Sequence, residues 1–306
     1  MKHLFIINPA AGSRDRTKSY TERIQKACAG LDYRIEVSQT PGDCARLARE
    51  AAQTGEEYRI YACGGDGTLN EVVAGAAGYP NVAVTVFSGG SGNDFTKLFS
   101  EPEAFFDVER LLDATETEFD LIDCNGDISL NICSVGLDAR IGTDVANYKR
   151  LPLLSGFRAY VLSAIINVIR GIAEHYVVEI GDERIDGEQT MICACNGRFY
   201  GGGFNPVPEA DPADGLMDVL VVNKVTRLQV PSVIGKYKNG KYAQLPHLVR
   251  HFRTDKVTIH CDKPTSISLD GELRTGQTIE MNISPHKLRF FYPKELTWQN
   301  QVLTNV

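Results

Sequence analysis

Between Tyr61 and Glu71 the chain reads Tyr-Ala-Cys-Gly-Gly-Asp-Gly-Thr-Leu-Asn-Glu, an apolar run that breaks on glycines and resumes with helical spacing. Residues 58–63 have the composition of a buried strand, and 68–77 the periodicity of a helix. A strand that turns straight into a helix belongs to a layered α/β arrangement. The first N–H groups of such a helix have no partner within it and carry partial positive charge. Glycines let an anion approach them closely. Asp66 stands in the same turn, and a carboxylate beside a phosphate is repulsive unless a cation lies between them. The turn therefore predicts a phosphorylated ligand carrying Mg²⁺. It lacks the Lys-Ser/Thr pair of a Walker A loop and the glycine spacing of a dinucleotide fingerprint. The alternative is a turn that uses glycine for geometry alone.

The first 120 residues repeat this alternation. Strand patterns fall at 3–8, 33–38, 58–63 and 82–87, and helical patterns at 17–29, 44–53, 68–77 and 108–113. Alternating strands and helices predict a parallel sheet, which binds ligands beyond the carboxyl ends of its strands. Three strands run into turns of small or polar residues: 9–13, 64–67 and 88–94. On one edge of a sheet these corners would share a pocket. After Asp120 the texture changes to short strand patterns at 129–135, 176–180, 191–196, 217–222, 257–261, 266–269, 278–283 and 288–292. Gly181-Asp182, Asp186-Gly187, Asp270-Gly271 and Thr275-Gly276 punctuate them as turns, and helical insertions fall near 158–172 and 226–250. That is the pattern of an antiparallel sandwich.

The charge balance narrows the function. A net charge of −7 over 306 residues argues against a dedicated nucleic-acid binder. The eight cysteines form no C-x-x-C pair, which leaves reduced thiols in a cytoplasmic protein as the simplest reading. The apolar run before Asn8-Pro9 is too short for a secretory signal. The stretch 151–172 contains Arg158 and Arg170, so it reads as a core helix, or as a surface that meets lipid, rather than a span. Arg14, Arg16, Lys149, Arg150 and Arg158 would give such a surface a basic rim, although solvated positions explain most of them. His247 and His251 have i, i+4 spacing, but without a third ligand they read as a surface helix.

Four motifs occur together: Asn8-Pro9-Ala10-Ala11-Gly12, the 64–71 turn, Gly90-Ser91-Gly92-Asn93-Asp94-Phe95, and Asp270-Gly271-Glu272. In this order they resemble the diacylglycerol kinase catalytic-domain superfamily, in particular its soluble bacterial lipid-kinase branch, related to sphingosine and ceramide kinases. The resemblance implies an N-terminal Rossmann-like parallel α/β domain (1–122), a C-terminal antiparallel β-sandwich domain (123–292), and an active site in the cleft between them. It implies that 293–306 packs back on the first domain. By the same resemblance Asn8, Pro9, Ala10, Ala11, Gly12, Thr40, Gly65, Asp66, Gly67, Thr68, Leu69, Asn70, Glu71 and Ser91 bind nucleotide. Ser91 stands where the family most often has Thr, and keeps the hydroxyl. Asp66, Asp94 and Asp120 match acids that organise catalytic Mg²⁺ and water. Asp211, Asp214 and Leu216 match a structural Mg²⁺ site, though Asp214-Gly215 is also an ordinary turn. Residues 197–203 match a loop near the acceptor.

Glu272 is the expected general base, with Asp270 as fallback and Asp66 as a further catalytic acid group. Asp270-Gly271 alone reads as a hairpin turn, which leaves Glu272 unexplained. The expected activity is transfer of the ATP γ-phosphate, with Mg²⁺, to a lipid primary hydroxyl, diacylglycerol foremost. The partners expected are a lipid substrate, peripheral membrane contact and no nucleic acid, with a homodimer left open. Two rivals are an NAD kinase-like phosphotransferase and a non-catalytic lipid- or nucleotide-binding regulator.

Overall fold

A computed structural model describes residues 1–12, 14–89, 92–148, 166–167 and 171–298. Strands β1 (Lys2–Ile7), β2 (Tyr33–Val37), β3 (Tyr58–Gly64) and β4 (Val82–Ser88) pair in parallel in the order β2-β1-β3-β4. Their connections are α1 (Thr17–Ala27), α2 (Asp43–Gln53) and α3 (Asp66–Ala76). β3, β4 and the last four residues of β1 are buried almost throughout, as parallel strands covered on both faces must be, whereas the edge strand β2 is half-buried. In α2 the buried residues Cys44, Leu47, Ala48, Ala51 and Ala52 recur every three or four positions and form one apolar stripe. The register pairs Ile7 with Cys63 and Gly64 with Ser88, so the ends of β1, β3 and β4 reach one edge. The strand order reverses between β1 and β3, the position where such sheets open a ligand crevice.

The same sheet continues through two strands that arrive from elsewhere. After the short helix α4 (Val108–Leu112), β5 (Ala114–Phe119) forms its edge. β15 (Leu288–Pro293) enters between β4 and β5, parallel to the first and antiparallel to the second. The sequence pattern at 288–292 was expected in the second domain. Its apolar residues instead complete the first core, where Phe290 stacks near Phe95, Phe99, Phe105 and Phe119. Residues 294–298 follow onto the same unit, with Trp298 edge-on to Phe119. Positions 299–306 lie outside the described residues.

The second sheet is antiparallel. It contains β6 (Ile122–Cys124), β7 (Asp127–Ser129), β8 (Ile132–Gly136), β9 (Glu174–Ile180), β10 (Glu183–Cys195), β11 (Met217–Asn223), β12 (Val249–Thr254), β13 (Lys256–Leu269) and β14 (Glu272–Ile283). Two long strands fold this sheet over itself. The first half of β10 pairs with β9 and the second half with β8 and β11, with a shift at Gln189/Met191. β13 pairs β9 through 257–261 and β8 through 267–269, with a shift between His260 and Thr265. Such irregularities bend a strand so that it serves two layers around one core. Asp186-Gly187 and Thr275-Gly276, expected as turns, therefore lie inside β10 and β14.

The region expected as a helical insertion at 226–250 holds only α6 (Val230–Lys238) and a turn of 3₁₀ helix before β12 begins. His247 and His251 do not share a helix. His251 lies in β12, where its Nε2 meets Asp218 Oδ1 at 2.7 Å and its Nδ1 meets the Tyr242 hydroxyl at 3.2 Å. Between β8 and this part of the chain, α5 (Leu137–Tyr148) is described, whereas most of the pattern expected at 158–172 lies outside the described residues. Helix α3 packs against α2, β3, β4 and β7, so it is held between the two sheets. Its first turn thereby faces the cleft from the first unit.

Candidate active site

The ends of β1 and β3 build one side of the cleft. Asn8 Oδ1 accepts the N–H of Ala10 at 3.0 Å and closes a tight turn after β1. Its amide donates to Thr68 Oγ1 at 3.2 Å, which ties that turn to the first turn of α3. Asn8, Ala11, Gly12, Gly65, Gly67, Thr68 and Glu71 line a recess of about 240 Å³, and Glu272 of the second sheet closes it. Gly42 N–H donates to Glu71 Oε2 at 3.1 Å and brings the loop after Thr40 beside this recess. Burial, and then the Glu272 charge, raise the Glu71 carboxyl above its ordinary range. Ser91 lies outside the described residues. Leu69 and Asn70 point to a different cavity, described next.

The third corner is shaped by Tyr20. Its hydroxyl donates to Phe87 O at 3.2 Å, and a Cβ at position 89 would lie 1.7 Å from that hydroxyl. Only glycine allows β4 to turn there. The chain then brings Asp94 against Asp66: Asp66 Oδ1 accepts the N–H groups of Asp94 at 2.6 Å and Phe95 at 3.3 Å. Asp94 in turn pairs with Lys97 and accepts Gly202 N–H at 2.7 Å, a bond between the two units. Burial, followed by the Asp94 charge, pushes the Asp66 carboxyl up to about 6.

The second sheet supplies a hairpin. Leu269 pairs with Glu272, so Asp270 and Gly271 form a two-residue turn with φ of +49° and +91°. Two successive positive φ values match the twist of the flanking strands. The Asp270 carboxylate accepts N–H groups from Leu130 (2.7 Å), Asn131 (3.1 Å) and Ile132 (2.7 Å). Those bonds occupy both oxygens and pin the turn to the start of β8. Glu272 emerges on the other side, 3.2 Å from Arg274, which also holds Asp127 at 2.9 Å.

Between these elements lies a cavity of about 330 Å³. Leu69, Phe95, Leu130, Ile132, Tyr200 and Phe204 give it an apolar wall, and Asp66, Asp94 and Asp270 stand at its acidic end. Tyr200, Gly201 and Gly202 belong to the 197–203 loop, which thus reaches the cavity as expected. Gly271 faces this cavity and Glu272 the glycine-lined recess, so the hairpin turn marks their junction. Sequence reading missed Asp138, which opens on the cavity from the first turn of α5 and accepts the Ser134 hydroxyl at 2.8 Å. Burial raises its carboxyl. The signal available was another strand that ends on glycine before an Asp-bearing helix, at 132–139.

Asp120 does not join the acids of the cavity. Its oxygens are taken by Lys287 Nζ at 2.9 Å and Gly215 N–H at 2.7 Å, where the chain crosses between the sheets. The 211–216 turn is likewise tied internally: Asp211 Oδ1 accepts Ala213 N–H at 3.1 Å, Asp214 Oδ1 accepts Leu216 N–H at 3.0 Å, and Arg253 pairs with Asp214. The positive charge that Asp214 needs there comes from a guanidinium. Among the described residues no three acidic, His or Cys side chains converge as a metal-binding group.

Two family models match this chain: the diacylglycerol kinase catalytic domain over residues 2–124, and the YegS C-terminal NAD kinase beta sandwich-like domain over 131–292. The chain belongs to the diacylglycerol kinase catalytic-domain family. Proteins named "Putative lipid kinase" in Staphylococcus carnosus (26% identical, 94% of this chain and 96% of that one) and Staphylococcus aureus strain MRSA252 (24%, 90% and 91%) are similar along their length. A crystal structure of a Bacillus anthracis diacylglycerol kinase shares the fold, with a TM-score of 0.68 and 19% identity over 95% of this chain and 96% of that one. The lipid-kinase family carries with it ATP as the phosphoryl donor. No helix among the described residues is long and apolar enough to cross a membrane.

Proposed function

We propose that this lipid kinase transfers the γ-phosphate of ATP to the primary hydroxyl of diacylglycerol, giving phosphatidic acid. One observation carries the reading: an apolar cavity and a glycine-lined recess meet at the Asp270–Glu272 turn, with Asp66 at the acidic end of the cavity and its neighbours Gly65 and Gly67 in the recess. The triphosphate lies along the N-terminus of α3, where Gly65, Gly67 and Thr68 present N–H groups and the helix dipole favours negative charge. The acyl chains enter the apolar cavity. Its volume is at the lower end of the range for ligand pockets, roughly 300–1,000 Å³. The head and the first part of the chains fit, and the rest of the lipid stays at the membrane surface, which makes peripheral contact part of the proposal.

Oxygen donors suit Mg²⁺, and Asp66 and Asp94 supply them. A Cβ at position 92 would sit 2.7 Å from Asp66 Oδ2, so glycine leaves room beside that oxygen. The crowding that pushes Asp66 up is what a cation would relieve. When bound, Mg²⁺ neutralises phosphate charge. Glu272 takes the proton as the lipid hydroxyl attacks the γ-phosphorus and the bond to the β-phosphate oxygen breaks to release ADP, with Arg274 holding the Glu272 carboxylate in place. Asp270 positions that residue through its three N–H contacts. A second reading makes Asp66 the proton acceptor, because it lines the acceptor cavity and Glu272 does not.

Radiolabelled ATP offered with diacylglycerol, phosphatidylglycerol, a sphingoid base and NAD tests the assignment. Labelled phosphatidic acid is expected. Product from NAD alone would move the protein to the NAD kinase reading, and no product at all would favour a binding protein. The apolar wall argues against a soluble nucleotide as acceptor.

A further inference from the structure

From Val219 to Thr254 the chain carries seven Lys and Arg residues and no Asp or Glu, within a protein of net charge −7. α6 lies in the middle of this run. Its inner face is buried: Val233 and Tyr237 join a core with Cys193, Val207 and Leu220. Its outer face is unusual in two respects. Ile234 is 43% exposed, and Leu228, just before the helix, is 95% exposed. Only five large apolar side chains are exposed among the described residues, and these are two of them, six positions apart. Around them stand Arg227, Lys236, Lys238 and Lys241.

The segment is also coupled to the acceptor cavity. Tyr237 accepts the Tyr200 hydroxyl at 3.2 Å, its ring lies 6.5 Å from that of Phe204, and Lys238 Nζ sits 5.5 Å over the Phe204 ring. Tyr200 and Phe204 line the cavity itself. α6 is therefore one layer of side chains from the place where acyl chains enter.

We infer that the Leu228–Lys241 segment is the element that docks this kinase on an anionic bilayer, with Leu228 and Ile234 entering the acyl boundary and Lys236 and Lys241 facing lipid phosphates. The inference rests on the lipid-acceptor reading above and adds which surface meets the membrane. Lys224, Arg250 and Arg253 at the ends of the run pair with Glu188, Glu183 and Asp214 of neighbouring elements, but within 227–241 the only charged residues are cations, and exposed apolar side chains in such a segment are the composition an anionic interface binds. A protein partner of ordinary composition would leave the absence of acids unexplained. The elements weighed from sequence for such a surface, the stretch 151–172 with Arg14, Arg16, Lys149, Arg150 and Arg158 as a basic rim, are different ones.

The test compares the wild-type chain with Leu228→Ser/Ile234→Ser and with Lys236→Gln/Lys241→Gln. All four side chains lie outside the catalytic and cavity-lining residues. Co-sedimentation is measured with vesicles of phosphatidylcholine alone and with phosphatidylglycerol added. Activity is measured on vesicle-borne diacylglycerol and on a short-chain diacylglycerol kept in true solution. Wild type should sediment with anionic vesicles and release as salt rises. Loss of two cations should weaken that binding roughly 10- to 30-fold, from the usual contribution of a basic residue at an anionic surface. The serine pair should lower vesicle activity about tenfold or more while activity on the soluble acceptor stays within about twofold. Unchanged vesicle binding in both variants, or equal loss on both acceptors, overturns the assignment. A change in oligomeric state with vesicle binding intact would instead mark a contact between copies. Wild type inactive on both acceptors would refute the lipid-acceptor reading, whatever the sedimentation shows.

Discussion

Asp66→Asn should make the resting protein more stable while destroying its activity. In the folded chain burial and the Asp94 charge hold the Asp66 carboxyl at about 6, against an ordinary 3.8. Between those two values the folded state binds a proton that the unfolded state has released. Stability therefore falls as pH rises through that window. Well below pH 3.8 both states are protonated and the group contributes no penalty. Above about pH 6 both are ionised and the full penalty applies. A shift of that size corresponds to ~3 kcal/mol, taken as an upper bound. Asparagine keeps an oxygen for the N–H groups of Asp94 and Phe95 and removes the charge.

Urea unfolding in EDTA, at pH 4.5, 6 and 7.5, reads this directly. The variant should gain about 1–3 kcal/mol at pH 7.5 and roughly a third of that at pH 4.5. Adding MgATP should reverse the ranking, because a ligand stabilises only the state that binds it. A variant less stable than wild type at pH 7.5, or a gain that does not change with pH, would refute the argument. The carboxylate would then be satisfied in the resting protein, and the case for a cation at this position would lose its physical basis.

Three other outcomes follow from the same geometry. Glu272→Gln should lower kcat by at least 10²-fold with ATP binding intact by equilibrium dialysis, a range set by proton-acceptor catalysis; full activity would leave Asp66 as the proton acceptor. Asp270→Ala should cost on the order of 3 kcal/mol or more in urea unfolding, since three N–H groups lose their acceptor and alanine inherits a φ of +49°. A variant with wild-type stability but no turnover would mean that Asp270 acts in the chemistry. Gly89→Ala should lower stability by about 1–3 kcal/mol through the collision with the Tyr20 hydroxyl, with partial rescue by Tyr20→Phe in a double-mutant cycle.

The phosphate corner was legible because its signals are local. A buried strand, glycines and an amphipathic helix follow one another within twenty residues, and the helix start lands where the spacing puts it, within two residues. The acidic hairpin was legible for the same reason, since Asp-Gly at two positive φ values is a short-range code. What escaped depends on distant pairing. 288–292 has the composition of any buried strand, and nothing within it says that its partners are Thr117 and Val84 rather than a neighbour in sequence. β10 and β14 were read as broken at Asp186-Gly187 and Thr275-Gly276 because a long strand that carries such residues has locally the same composition as a turn. Asp138 was missed although a strand ending on Gly136 precedes it, because that one glycine does not say which way α5 folds; its packing over β8 is what opens Asp138 to the cavity.

The placement of Asp120 shows how the cleft keeps its geometry. The chain passes from the first sheet to the second at 120–121 and returns at 284–287. These two crossings are bonded to each other: Ser284 N–H donates to Leu121 O at 2.7 Å, and Lys287 reaches Asp120. Asp120 also accepts Gly215 N–H through its side chain, while its carbonyl accepts the Asn196 amide at 2.8 Å. One buried carboxylate thus joins both crossings to the end of β10 and to the turn before β11. Two linked crossings resist relative rotation of the sheets in a way that a single tether would not, because hinge motion is absorbed by a few residues of an unbraced connection. The two walls of the cleft, with Asp66 on one unit and Glu272 on the other, are therefore set by the fold itself. An acid at position 120 earns its place by holding that distance, and Asp120→Asn should disturb KM and kcat only in proportion to what it does to the junction. A loss of turnover at unchanged stability, with MgATP binding weakened, would place Asp120 back among the groups that organise the metal.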